Sequence, residues 1–382
     1  MRIVFLYNAQ DHHLLHSLPI ACALSTFRAD WEVVVLTRST EQMTLAQDLA
    51  RAYPAHRLSF EVMRRPPGGE IAGPRLGKLM RLAANARAID RFDAVVVAER
   101  TSLALQRLGA RRPKFIHTFH GSSGHDRVLD SRLSRFDLLL APSARRIARI
   151  VESGQIDPRR AQVIGYAKRD LVSRLAATPP RLFANGRPTV IYNPHHWRNK
   201  SSWPVAGFEV LDAFAAQDRW NLIFAPHVRL FDPPENRYGP FRKYMNLGHM
   251  LIDLGSRRSI DMTYLLAADA YLGDVSSQVM EFILQPRPCI FLNPRDLPWA
   301  GDPDFASWRL GPVVKTASEA VQALDTADLW ARQFRSAQAD AGQAAFPELD
   351  EPASQRGARA IAQFLEDGAL PAPFDPVFAE AG

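Results

Sequence analysis

The sequence predicts an α/β chain of two Rossmann-like domains facing across a cleft. Three observations carry this expectation. The 382 residues exceed the roughly 250 to 300 at which a single hydrophobic core stops growing. Short apolar runs alternate with helix-length segments, first in one half of the chain and then again in the other. One breaker-rich stretch, Thr178-Pro179-Pro180 through Gly186-Arg187-Pro188, interrupts that rhythm and reads as the linker.

In chain order, the runs Ile3 to Tyr7, Trp31 to Leu36, Ala94 to Ala98, Phe115 to Thr118 and Leu138 to Leu140 read as strands of a parallel sheet covered on both faces. The pattern stops near Val163-Ile164-Gly165. It resumes with Thr189 to Tyr192, Leu222 to Ala225, Ala270 to Leu272, Cys289 to Leu292 and Pro312 to Lys315. Domains are therefore expected over 1–170 and 185–350, with 351–382 supplying a helix near 354 to 365 and a Pro-rich, poorly ordered tail. No internal repeat is evident.

The composition, 47% hydrophobic and 23% charged, is that of a globular protein. Only Cys22 and Cys289 are present, too few for a disulfide framework, and no apolar stretch has the roughly 18 to 20 residues of a membrane span. The first residues read as a buried strand rather than a signal peptide, so a cytoplasmic location is expected. The net charge of +7 is uneven: residues 1 to 170 hold 27 Lys and Arg against 16 Asp and Glu, and the remainder is acidic. That asymmetry suggests an anionic partner for the first half. The helix carrying Arg75, Lys78, Arg81, Arg87 and Arg91 could meet an anionic membrane, with Leu76, Leu79, Leu82 and Ile89 turned to core or lipid. The basic residues are not interleaved with aromatics in a nucleic-acid motif, which argues against a nucleic-acid partner.

In open α/β sheets ligands lie beyond the carboxyl ends of strands, so residues just after each strand are the candidates. In Gly273-Asp274-Val275-Ser276-Ser277 a strand ends, two hydroxyls follow and a helix begins, a combination suited to an anion; alternatively Asp274 or Ser276 only caps the helix. His227 and Arg229 follow another strand, where an imidazolium or a hydrogen-bonded imidazole can hold phosphate. His120-Gly121 ends a strand with an imidazole able to remove a proton from a hydroxyl, while His117 points to the opposite face and reads as structural. His195-His196-Trp197-Arg198 forms a third basic loop; with no third and fourth ligand at recognisable spacing, a zinc site is not expected. Asp302 and Asp304 read as loop residues rather than a metal pair. Lys168, at the junction of the halves, could reach a phosphate across the cleft.

Together these segments resemble the CDP-glycerol glycerophosphotransferases, the family of teichoic-acid polymerases, over roughly residues 114 to 295. Phe115 to Gly121 is similar to that family's Thr-Trp-His-Gly strand end, Val163 to Asp170 to its Gly-x-Pro-Arg-x-Asp segment, and Val190 to Arg198 to its Tyr-Ala-Pro-Thr-Trp-Arg run. His227 matches its His-Pro-Arg, and Asp261 to Asn293 its stretch through Asp-Tyr-Ser-Ser. Phe119, Ser122-Ser123, Val275 and Val228 depart from the family pattern. The resemblance implies a GT-B fold with acceptor binding on the first domain and donor binding on the second. It implies His120 as base, and donor phosphates held by His227, Ser276 and Ser277, with Gly121, Lys168, Arg198, Arg229 and Asp274 around them. No cofactor or metal is expected. The implied partners are CDP-glycerol or a related donor and a hydroxyl on a lipid-linked glycan, reached by an enzyme peripheral to the inner membrane face. The rival readings are a GT-B glycosyltransferase using a CMP- or UDP-activated sugar, a UDP-GlcNAc 2-epimerase-like enzyme, for which Asp274 and Glu281 form no convincing acid-base pair, and a non-catalytic nucleotide-sugar-binding protein.

Overall fold

The computed structural model describes the chain apart from residues 67–72, 120–130, 178, 232–236, 277, 347–349 and 369–382, and apart from the side chains of 73–75, 145, 146 and 149. The chain divides into unit 1, Met1–Leu175 with the chain from Ala344 onward, and unit 2, Ala176–Gln343. The expected disordered tail lies outside the described residues.

Unit 1 runs β1 (Arg2–Tyr7), α1 (His13–Phe27), β2 (Glu32–Thr37), α2 (Thr40–Ala50), β3 (Ser59–Val62), α3 (Gly73–Ile89), β4 (Ala94–Val97), α4 (Ala104–Arg107), β5 (Lys114–Thr118), β6 (Leu138–Ala141), α5 (Ala144–Glu152), β7 (Ala161–Val163) and α6 (Ala167–Leu175). Unit 2 runs β8 (Thr189–Asn193), α7 (Trp203–Ala215), β9 (Asn221–Phe224), α8 (Arg242–Met245), β10 (Met250–Ile252), α9 (Thr263–Ala267), β11 (Ala270–Gly273), α10 (Gln278–Phe282), β12 (Cys289–Leu292), β13 (Val313–Val314), α11 (Ala317–Asp325) and α12 (Ala327–Ala345). The last helix, α13 (Ala353–Asp367), belongs to unit 1.

Both sheets are parallel, ordered β3-β2-β1-β4-β5-β6-β7 and β10-β9-β8-β11-β12-β13. This is the doubly wound order, in which the first strand of each unit sits centrally and the winding reverses beside it. Central strands such as Ala94–Val97 and Cys289–Leu292 are buried at every position, because helices cover both faces and leave no solvent side to alternate toward. Each unit has its own apolar core, one around Val4, Val95 and Phe136, the other around Phe214, Phe224 and Leu272.

The structure reveals a repeat that the sequence alone does not announce. Tyr7-Asn8 ends β1, and Tyr192-Asn193 lies at the end of β8; ten residues after each tyrosine stands a serine, followed by x-Pro, in Ser17-Leu18-Pro19 and Ser202-Trp203-Pro204. The Tyr7 hydroxyl bonds the Ser17 hydroxyl at 2.8 Å, and Tyr192 bonds Ser202 at 2.9 Å. Each pair satisfies a buried phenol while tying the central strand to the helix that follows it.

In unit 1, α13 packs on α1 and α6. The Asp170 carboxylate accepts from the Ser354 N–H at 2.7 Å at its start, and Arg28 pairs with Glu366 near its end. The two helices meet closely at Gly357, where an added Cβ would lie 3.1 Å from Ile20. Gly357→Leu is therefore expected to destabilise unit 1 by about 1 to 3 kcal/mol, the usual cost of overpacking. A melting temperature equal to that of the unsubstituted protein would contradict this.

The basic helix α3 is mixed in its orientation. Leu82 and Ile89 are buried, Leu76 and Leu79 are exposed, and Arg81 donates from Nε to Asn8 Oδ1 at 2.9 Å. Among the described residues no helix is long and apolar enough to cross a membrane.

Candidate functional site

In unit 2 the winding reverses between β8 and β11, and the loops leaving the carboxyl ends of β8, β9 and β11 are bonded into one edge. The Asn193 amide donates to the Ala225 carbonyl at 2.6 Å, and the His227 N–H donates to the Pro194 carbonyl at 2.9 Å. These two bonds hold the β8 and β9 loops together.

Asp274 ties in the third loop. It is fully buried, and one carboxylate oxygen accepts from the His195 N–H at 2.8 Å and the Val275 N–H at 2.7 Å. The other accepts from the Ser202 N–H at 2.7 Å and the Ser202 hydroxyl at 2.9 Å. Burial raises its pKa while these donors pull it down. Four donors occupy the carboxylate, so its geometry is that of a residue positioning the His195 loop, not of one contacting a phosphate.

The arrangement brings His195, His196 and His227 together. Ring centroids lie 4.2 Å apart for His195 and His196, 4.9 Å for His195 and His227, and 4.3 Å for His196 and His227. His195 is buried and the other two are half-buried. The exposed edge is formed by Trp197, which meets the His195 ring at 4.8 Å in a T-shaped contact, and by Arg198 and Arg229. Burial pushes the His227 pKa down to about 4, helped by His196 and the Arg229 guanidinium; His196 is lowered by burial and by Arg229. Of the two protonation states that the sequence leaves open for His227, the structure selects the neutral one near pH 7. Its Nδ1 accepts from the Arg229 N–H at 3.2 Å, which leaves Nε2 to carry the ring proton. The fixed positive charge at this edge is that of the arginines.

The hydroxyl and helix after β11 differ from expectation. Ser276 is buried, and its Oγ accepts from the Gln278 N–H at 3.4 Å, which is a capping contact. The helix it caps, α10, has only five residues, too short for its dipole to contribute much to anion binding. Ser277 lies outside the described residues, as do His120 and Gly121. Lys168 is in unit 1, buried in the first turn of α6. His117 is buried, with Nδ1 3.1 Å from the Val97 carbonyl and its ring stacked on Phe136. Lys200 pairs with Asp304, and Asp302 caps the turn that follows it. Sequence spacing does not link His195 and His196 to His227, because the 30 positions between His196 and His227 have no periodic meaning until β8 and β9 pair.

Residues 23–167, within unit 1, match the family model described as Glycosyltransferase Family 4. No curated protein matches the sequence. Among solved structures, the wall teichoic acid polymerase TagF, in a crystal soaked with CDPG, is similar with a TM-score of 0.64 and 14% identity, covering 96% of this chain and 89% of that one. A putative UDP-N-acetylglucosamine 2-epimerase from Listeria monocytogenes gives 0.63 and 13%, covering 96% of each chain. The UDP-GlcNAc 2-epimerase from Neisseria meningitidis, bound to UDP-GlcNAc, gives 0.58 and 11%, covering 96% and 100%. Identities this low convey architecture alone. The architecture they share with this chain, two units built on parallel, doubly wound sheets, is the GT-B fold.

Proposed function

We propose that this chain is a transferase that moves a glycerophosphate, or a related polyol phosphate, from a CDP-activated donor to a hydroxyl of a membrane-linked glycan or lipid. The observation that carries the reading is the convergence of the β8, β9 and β11 loops at the reversal point of unit 2, where imidazoles and arginines share one edge. The partial match to a glycosyltransferase family model and the GT-B fold support a nucleotide-activated donor.

In this mechanism Arg229 and Arg198 attract the donor's diphosphate. His227, held neutral, donates a hydrogen bond to a phosphate oxygen, and that bond strengthens as charge develops on the departing CMP. This reading also assigns donor-phosphate contacts to Ser276 and Ser277, the two hydroxyls that follow β11 in sequence. His120 takes the proton of the acceptor hydroxyl, whose oxygen forms the new bond to the glycerol-bearing phosphorus as the bond to CMP breaks. Asp274 acts on none of these atoms; it keeps the His195 loop in place. The exposed Leu76 and Leu79, on a helix rich in basic residues, are the surface this reading assigns to anionic lipid.

The epimerase-like reading requires a carboxylate free to move a proton on carbon, and Asp274 is already occupied by four donors. A panel of CDP-glycerol, CDP-ribitol, CMP-sugars and UDP-sugars, scored by released nucleotide, separates the alternatives. Release of CMP from a CDP-polyol only when acceptor is present is the expected result; turnover confined to UDP-sugars would overturn the proposal. Ser276→Ala combined with Ser277→Ala is expected to weaken donor binding by about 1 to 3 kcal/mol, the range for hydrogen bonds to charged groups. Calorimetric titration with the donor measures it, and an unchanged Kd removes the two serines from the site.

A further inference from the structure

We infer that His195, His196 and His227 form a binding site for a late first-row divalent metal ion, with Zn2+ the natural occupant. The inference does not rest on the transferase reading.

The geometry comes first. One ring nitrogen from each histidine lies within 4.8 Å of those of the other two. In a tetrahedral zinc site, Zn–N bonds of roughly 2.0 to 2.1 Å place ligand nitrogens about 3.4 Å apart. The ring nitrogens, at most 4.8 Å apart, need to close by at most about 1.4 Å to reach that separation, a change that rotations of the rings supply. The rings are carried on loops that backbone and Asp274 bonds hold together, so this convergence is a property of the scaffold. An unmet valence adds to the case: His196 Nδ1 is buried and has no hydrogen-bond partner. Buried polar atoms ordinarily find a partner, and a metal ion supplies one.

The donor set determines the class of ion. Three imidazoles with no carboxylate suit zinc, copper, nickel or cobalt and give Mg2+ and Ca2+ little to bind, since those ions require oxygen. Three protein ligands leave at least one position open on a tetrahedral ion. Arg229 lies close enough to influence His196 and His227, so the open position favours an anionic oxygen ligand, such as phosphate, over a second cation. The Asp274 carboxylate, bonded to the His195 N–H on the inner side, offsets part of the arginine charge. His195 and His227 each accept at Nδ1 from the backbone N–H two residues on, at 3.2 Å, the long end of the hydrogen-bond range. Ligation through either ring gives up that contact.

Chelator-treated full-length protein titrated with Co2+ tests the site. One equivalent is expected to give the visible absorption of a four- or five-coordinate ion, to be displaced by Zn2+, and to be unaffected by excess Mg2+. His196→Ala removes a half-buried ring and is expected to weaken Co2+ binding by more than about a hundredfold, beyond the loss typical of outer-sphere partners. His227→Ala gives a second readout, with folding of both variants checked by circular dichroism, and His56→Ala in unit 1 serves as the control. Absence of saturable Co2+ binding, or equal affinity in wild type and His196→Ala, overturns the inference. Metal binding without CMP release leaves this site standing while the transferase reading falls; CMP release without metal binding does the reverse.

Discussion

Asp274→Ala is expected to lower the stability of unit 2 by about 3 to 5 kcal/mol and to abolish donor binding with it. The side chain is fully buried and accepts from the His195, Ser202 and Val275 N–H groups and from the Ser202 hydroxyl. Leaving one buried donor unsatisfied costs roughly 1 to 3 kcal/mol. The Ser202 hydroxyl keeps Tyr192 as a partner, and Val275, at the edge of the buried region, can reach water, so the sum stays below four full penalties. Against a typical total of about 5 to 15 kcal/mol, the variant folds but with little margin. Asp274→Asn keeps the shape and one acceptor oxygen while turning an amide N–H2 toward a donor, so it should fall between wild type and alanine. Denaturant unfolding followed by tryptophan fluorescence measures the loss, and hydrogen exchange should show faster opening at 193 to 203. Wild-type stability together with wild-type donor affinity would show that the carboxylate does not organise the edge.

The fold was legible where burial is two-sided. Strands such as Ala94–Val97, Asn221–Phe224 and Cys289–Leu292 are apolar at nearly every position because helices cover both faces, and such runs stand out in a sequence. The strands that the apolar runs leave out, β3, β7 and β10, all lie at sheet edges. In β3, Ser59 and Glu61 are exposed and alternate with half-buried Phe60 and Val62, and β7 and β10 are each three residues long, so none presents an apolar run. The repeat centred on Tyr7-Asn8 and Tyr192-Asn193 is hidden in the sequence for a different reason. Only four of these positions recur, Tyr, Asn, Ser and Pro, and their common purpose, a phenol bonded to a serine ten residues later, is visible only when strand and helix have packed.

The site was legible in part for the same physical reason. Residues after strands could be listed, because doubly wound sheets place ligands there. Which of them meet could not be read, since convergence depends on strand order, and β8 lies between β9 and β11 although β9 and β10 intervene in sequence. His195, His196 and His227 therefore looked like separate signals, and Asp274, which faces inward to the His195 backbone, looked like a ligand contact. The length of α10 was equally hidden: Gln278 to Phe282 begins a plausible helix, but it stops after five residues near Gln285-Pro286, before a useful dipole accumulates.

The final prediction separates the two histidines to which the proposed function gives chemistry. His120→Ala is expected to lower turnover on the order of a hundredfold or more while leaving donor affinity nearly intact, because a general base acts on the acceptor hydroxyl and contributes little to holding the donor. His227→Ala is expected to weaken donor binding and lower kcat as well. Its imidazole is neutral near pH 7, its pKa pushed down to about 4 by burial, so the loss is that of an oriented N–H donor and not of a cation. Such a bond to a charged phosphate is worth about 1.5 to 3 kcal/mol in the ground state. In the proposed reaction it strengthens as negative charge collects on the leaving nucleotide, so kcat/KM should fall further than affinity does. His227→Gln, which retains an N–H group, should recover part of the binding loss, whereas a cationic role would be better restored by lysine. Donor affinity from calorimetry and single-turnover rates with acceptor present give the two numbers for each variant. Normal single-turnover rates in His120→Ala would move the base to another residue, and a His227→Ala variant impaired only in acceptor use would place that ring on the wrong substrate.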